Sequence, residues 1–127
     1  MKRFHISVLI AMLAAPLPGA AGSGGDCAGA PGIEAMVTCA EAADQKADQR
    51  LNRSYAAARQ ALDAGDGAKL LLDAQRAWLK FRDADCRVVA NQAHGGLLSR
   101  FLWSACRADL TEARSTELDA QAKGLGE

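Results

Sequence analysis

Aromatic side chains are scarce in this 127-residue chain: Phe, Trp and Tyr together make up 5% of it. β-Branched residues are thin as well, and alanine dominates the apolar half. Sheets need both kinds of side chain on their pleated faces, so an all-β fold is close to excluded. Proline is nearly missing. The three present are Pro16, Pro18 and Pro31, so nothing after Pro31 breaks a long helix on that account. An excess of one charge is missing too, with 15 basic against 15 acidic residues. That balance argues against a dedicated nucleic-acid binder, which displays a basic face or tail. There is no P-loop, no GxGxxG and no HExxH. What remains is rich in Ala, Leu, Arg, Asp, Glu and Gln, a helical composition of single-domain length.

The first residues read as a leader. Met1-Lys2-Arg3 is a basic start, Ile6 to Leu17 an apolar stretch too short for a stable anchor, and Gly19-Ala20-Ala21 a small-residue cleavage site. The expected division is a signal peptide over 1–21 and one helical domain over 22–127. No cysteine stands at the expected cut, so a soluble periplasmic or secreted product is expected, without a membrane anchor. Loss of Lys2 and Arg3 takes the 15 basic residues to 13 against 15 acidic ones, a charge near −2. His5 leaves as well, and His94 becomes the one histidine.

Three helices follow from the periodicity. The first lies between Pro31-Gly32 and Gly65-Asp66-Gly67, with Met36, Ala40, Ala43, Ala47, Leu51, Tyr55, Ala58 and Leu62 on one stripe. The second runs from about Ala68 to Ala93 with two apolar stripes. One is Leu71, Ala74, Trp78, Phe81, Asp85 and Val88; the other is Leu72, Leu79, Arg82, Cys86, Val89 and Ala93. Two apolar faces call for two packing partners, so this helix is expected in the middle. The third runs from about Leu97 to Lys123, with Leu98, Leu102, Cys106, Leu110 and Ala113 inward. Short Gly-containing connections make the neighbours antiparallel. The expected fold is all-α, an up-down-up three-helix bundle stapled by two disulfides.

The pairing of Cys27, Cys39, Cys86 and Cys106 follows from that register. Four cysteines allow three pairings. Folding the second hairpin at Gly96 sets Cys86 opposite Cys106, and Cys27 and Cys39 flank Pro31-Gly32. Cys27–Cys39 with Cys86–Cys106 is therefore expected in an exported chain. A four-cysteine metal site is disfavoured, because no two cysteines are spaced two to four residues apart. Folding the first hairpin at Asp66 sets Trp78 against Ser54 and Tyr55 and Phe81 against Leu51. That aromatic layer is expected to carry most of the burial energy.

Chemistry-bearing residues are few. His94 sits in a glycine turn with no fixed Ser or Cys partner, which excludes a hydrolytic triad. The pairs Asp83/Asp85, Asp63/Asp66 and Asp109/Glu112 read as solvated faces. No catalytic residue, metal or cofactor is assigned. Arg82 stands in an apolar stripe and needs a carboxylate, with Asp109 and Asp48 in reach. Trp103 falls beside the inward stripe and, with Phe101 and Leu97, could form a patch near Gly95-Gly96. The turn His94-Gly95-Gly96 is flanked by Arg100 and Trp103, which offer a cation and an aromatic anchor for a protein partner, and Asp66 marks the opposite, acidic end.

The run Ala74-Gln75-Arg76-Ala77-Trp78-Leu79-Lys80-Phe81-Arg82-Asp83-Ala84-Asp85-Cys86 closely resembles the central motif of the LprI-type lysozyme-inhibitor family. Asp48, Leu51-Asn52 and Tyr55 resemble its D-x-x-LN-x-x-Y element. Cys106, Leu110-Thr111, Arg114 and Leu118 resemble its closing element. The resemblance implies a small, exported, non-enzymatic helical protein that binds and inhibits lysozyme. It implies a mainly structural role for Leu51, Asn52, Tyr55, Gln75, Trp78, Phe81, Arg82 and Asp83. The rival expectation is a cell-envelope helical interaction module with a partner other than lysozyme.

Overall fold

The computed structural model describes residues 24–62 and 65–124; the expected leader and Asp63 lie outside the described residues. Three long helices, α1 (Ile33–Ala61), α2 (Gly67–Asn91) and α3 (Gly96–Gly124), run up, down and up, preceded by a 3-10 segment, Gly24–Gly29. α1 starts where Gly32 takes a φ of 88°, a conformation open to glycine but not to the proline before it. The turn between α2 and α3 carries positive φ at His94, Gly95 and Gly96 in succession. Two glycines adopt it freely, and His94, at 53°, takes a left-handed conformation uncommon outside glycine but more open to His, Asn and Asp than to other residues.

Both disulfides take the expected pairing. Cys27 is bonded to Cys39 and Cys86 to Cys106, each with Cα atoms 5.6 Å apart. The second hairpin keeps the register expected from its glycines. The Ser99 hydroxyl donates to the Ala90 carbonyl at 3.0 Å, and Arg114 Nε donates to Gln75 Oε1 at 3.1 Å.

The order of packing differs from the expectation. α2 is not the middle helix. α3 takes that place, lying parallel along most of α1 and antiparallel to α2, while α1 and α2 touch little. The reason lies in side-chain size. α1 and α3 meet on small residues, with Ala40, Ala47, Ser54 and Ala58 buried on one and Ser104, Ala105, Ala108 and Ser115 on the other. Small side chains at a helix contact let the axes approach, and the approach seals a long interface. The inward face of α3 is accordingly Phe101, Ala105, Ala108, Thr111, Ser115 and Leu118, whereas Leu98 and Ala113 of the expected stripe are exposed.

The expected aromatic layer also fails to form. Phe81 is 56% exposed and Trp78 only half-buried. The apolar core is split in two instead. At the 3-10 end, Cys27, Val37, Ala40, Phe101 and Ala105 cluster with Ile33, Met36 and Leu97 around them. At the other end, Leu51, Ala58, Leu71 and Leu118 cluster, with Tyr55, Trp78 and Leu79 packed against them. Between the two lies a belt of charged and polar side chains.

Candidate functional site

Arg82 is the centre of that belt. It is 5% exposed, and its Nη1 donates to Asp48 Oδ1 at 3.0 Å and to the Thr111 hydroxyl at 3.1 Å. Its Nε donates to Asp83 Oδ1 at 3.0 Å. Nε and Nη1 are thus both satisfied, and among the described residues no buried side-chain polar atom lacks a partner, as burial demands. Asp48 is the partner and Asp109 is not, because Asp109 lies on the exposed side of α3.

Arg107 doubles the network from α3. It reaches Asp44 at 3.0 Å, Asp48 at 3.3 Å and Asp83 at 2.9 Å, so Asp48 and Asp83 are shared between the two guanidiniums and Asp44 pairs with Arg107 alone. Burial pushes the Asp44 carboxyl above its ordinary value, and Arg107 beside it offsets only part of that rise. Sequence reading missed Arg107 and Asp44. The signal for Arg107 was present: it stands one helical turn after Trp103 and one before Thr111, on the side facing α1.

The two tryptophans lie at either end of this belt, each beside two arginines. Arg82 and Arg114 stand over the Trp78 ring at 5.5 and 5.9 Å from its centroid. Arg107 and Arg87 stand over Trp103 at 5.4 and 6.0 Å. Trp78 belongs to the lower apolar cluster. Trp103 instead lines an open concavity at the α2–α3 end, together with Arg87, Ala90, Leu97, Ser99 and Arg100. Phe101 takes no part in this patch, because it is buried against Cys27 and Val37 on the other side of α3.

The remaining partner-binding residues divide as their helices dictate. His94 is exposed in the turn beside the concavity. Arg100 borders it and is paired with Glu41 of α1 at 2.6 Å, its side chain still 59% exposed. Asp66 sits at the opposite end of the bundle, before α2, exposed and with no side-chain capping bond. The motif residues gather elsewhere. Asp48, Leu51, Asn52, Tyr55, Gln75 and Arg82 line one groove between α1 and α2. Of these, Leu51, Gln75 and Arg82 are buried, and Asn52 is exposed.

All four cysteines are bonded, so no thiol is free, and among the described residues no cluster of His, Cys, Asp and Glu could hold a metal. Among the described residues, no helix is long and apolar enough to cross a membrane.

An uncharacterized protein of Rhizobium meliloti (strain 1021), R02472, is 38% identical over 105 residues, spanning 73% of this chain and 76% of its own length. No solved structure matches the chain. The family model described as "Lysozyme inhibitor LprI" matches residues 27–118, from the first bonded cysteine to the buried Leu118 of α3, and so takes in both disulfides, the arginine belt and the α2–α3 end. The chain belongs to the LprI lysozyme-inhibitor family.

Proposed function

We propose that this protein is an exported inhibitor of lysozyme that acts by binding, not by catalysis, and that it binds through its α2–α3 end. The observation that carries the inhibitory reading is the family match over residues 27–118. Two disulfides in so small a chain suit an oxidising compartment, periplasmic or extracellular.

The choice of the α2–α3 end rests on shape and chemistry. Lysozyme works with two carboxylates in a cleft, so a plug should be narrow and carry a cation. The turn His94-Gly95-Gly96 is narrow, and the exposed Arg100 guanidinium stands beside it. Trp103, half-buried between Arg87 and Arg107, offers an aromatic surface held in place before binding. Towards the Asp66 end the corresponding ring, Trp78 beside Arg82 and Arg114, is packed onto the lower apolar cluster instead of flanking a turn.

The test is a cell-wall turbidity assay with lysozyme and the purified oxidised protein. Slowed clearing is expected. Arg100→Glu should lose inhibition and Asp66→Lys should keep it, in proteins of equal helicity. Loss only in the Asp66 variant would place the contact at the opposite end. No inhibition by the parent protein would overturn the reading in favour of a cell-envelope interaction module with another partner.

A further inference from the structure

α2 presents two apolar faces, and the bundle uses one of them. Leu71, Gln75, Arg82, Cys86 and Ala90 turn inward. A second stripe, Leu70, Ala74, Ala77, Phe81, Ala84 and Val88, is exposed at every position. Its three large members are 66%, 56% and 66% exposed. The spacing alternates four and three residues, the seam of a two-stranded coiled coil. At 1.5 Å per residue the seam is about 27 Å long. An unbroken apolar stripe of this kind on a small domain marks an interaction surface.

We infer that a second copy of this chain covers the seam, with α2 packed antiparallel on its partner's α2 about a two-fold axis near Leu79. Self-complementarity carries the assignment. In that arrangement Leu70 meets the partner's Val88, Ala74 meets the partner's Ala84, and Phe81 meets the partner's Ala77. Each large side chain thus faces a small or matching one. A parallel pairing would instead stack Phe81 on Phe81, an overfilled layer beside a bare layer of Ala77 on Ala77, whereas the antiparallel one sets Phe81 against Ala77 and levels the two.

The charges flanking the seam agree. Asp73, Lys80 and Arg87 form the exposed row along one side. Antiparallel symmetry sets Asp73 beside the partner's Arg87 twice, and Lys80 beside the partner's Lys80 once, on the axis. Two attractive pairs then outnumber one like-charge pair. A single-helix seam is smaller than the roughly 800 Å² per partner of a standard interface, so the dimer is a weak one. Its symmetry points the two α2–α3 ends in opposite directions. The inference does not rest on lysozyme being the partner.

Sedimentation equilibrium over a micromolar-to-millimolar dilution series tests it on the oxidised chain, with helicity checked for each variant. A monomer–dimer equilibrium is expected. Phe81→Asp should abolish it, and Asp73→Arg should weaken it at least several-fold. The double change Asp73→Arg with Arg87→Asp should restore it, because the pair is exchanged with its sign pattern intact. Lys80→Gln should tighten it by removing the one repulsive contact. Monomer at every concentration, or a dimer indifferent to Phe81→Asp, would overturn the inference. So would weakening by Lys80→Gln, which is the signature of a parallel pairing in which Lys80 faces the partner's Asp85. None of these readings uses an inhibition assay, so the oligomer and the proposed function succeed or fail separately.

Discussion

Arg82 Nη1 lies 3.0 Å from Asp48 Oδ1, joining α2 to α1 at mid-height, although those two helices otherwise touch little. The same guanidinium reaches Asp83 and the fully buried Thr111 of α3. One side chain therefore fixes the relative height of all three helices. Apolar contacts are not directional and set helix height only loosely; a shared set of guanidinium bonds sets it at one register.

Arg82→Lys follows as the informative substitution. Lysine keeps the charge but is a point donor and cannot bridge Asp48, Asp83 and Thr111 at once. A loss of about 1–3 kcal/mol is expected in urea unfolding, since Thr111 and part of the carboxylate set lose a partner. Unchanged stability would show that Arg107 alone holds the belt.

The disulfides act on different parts of the molecule. Cys86–Cys106 closes the α2–α3 hairpin over a separation of 20 residues, and Cys27–Cys39 ties the 3-10 segment to α1 over 12. Loops of this size correspond to about 3 kcal/mol each in the chain-entropy view. Replacing Cys27 and Cys39 together by Ser should lower the melting temperature and leave most helicity intact. Cys27 sits in the upper cluster, so its segment should detach without unzipping the bundle. Gly24→Ala should unseat the same segment, because a Cβ there would collide with the backbone of Ala105.

Much of this architecture was legible in the sequence, and the exceptions share a cause. Gly95-Gly96 fixed the hairpin register, from which Cys86–Cys106 follows, and the isolated charge of Arg82 called for Asp48. The middle helix was misplaced because hydropathy gives most weight to Leu, Phe and Trp, while the longest interface is built from Ala, Ser and Thr. Ala105, Ala108 and Ser115 carry little periodic signal, yet they set how closely α1 and α3 approach. Phe81 was drawn inward by the same weighting. Its stripe is apolar in earnest, but no element among the described residues covers it.

Stability in acid should depend on two carboxyls of opposite sign. The Asp119 carboxyl is held below the usual carboxylate range, first by the Ser54 hydroxyl and then by Arg50, with burial opposing. Its stabilising contribution is present above the unfolded value of about 3.9 and is lost as pH falls through the lower folded value. Asp44 runs the other way. Its folded value is raised by burial, so its contribution is present in acid and is lost as pH rises through that value. In urea unfolding as a function of pH, Asp119→Asn should flatten the acid limb and Asp44→Asn should steepen it. The same change of slope in both variants would contradict this assignment.

The last prediction separates the two tryptophans, which have near-identical surroundings of two arginines each but opposite positions. Trp78 packs on Leu51, Leu71 and Leu118, so Trp78→Ala opens a gap in the lower cluster. Because the ring is only half-buried, the cost should be about 2–3 kcal/mol, below the 3–5 of a fully enclosed aromatic. Trp103 lines the open concavity and belongs to neither cluster. Its neighbour Arg107 is already held by Asp44, Asp48 and Asp83 and keeps its place without the ring. Trp103→Ala should therefore cost about 1 kcal/mol or less, in the range of one exposed cation–π contact. The same variant should lose most inhibition of lysozyme if the α2–α3 end makes the contact, whereas Trp78→Ala, assayed below its melting temperature, should keep it. Inhibition that tracks stability in both variants would mean that the tryptophans only support the fold. Inhibition lost with Trp78 alone would move the contact to the Asp66 end of the bundle.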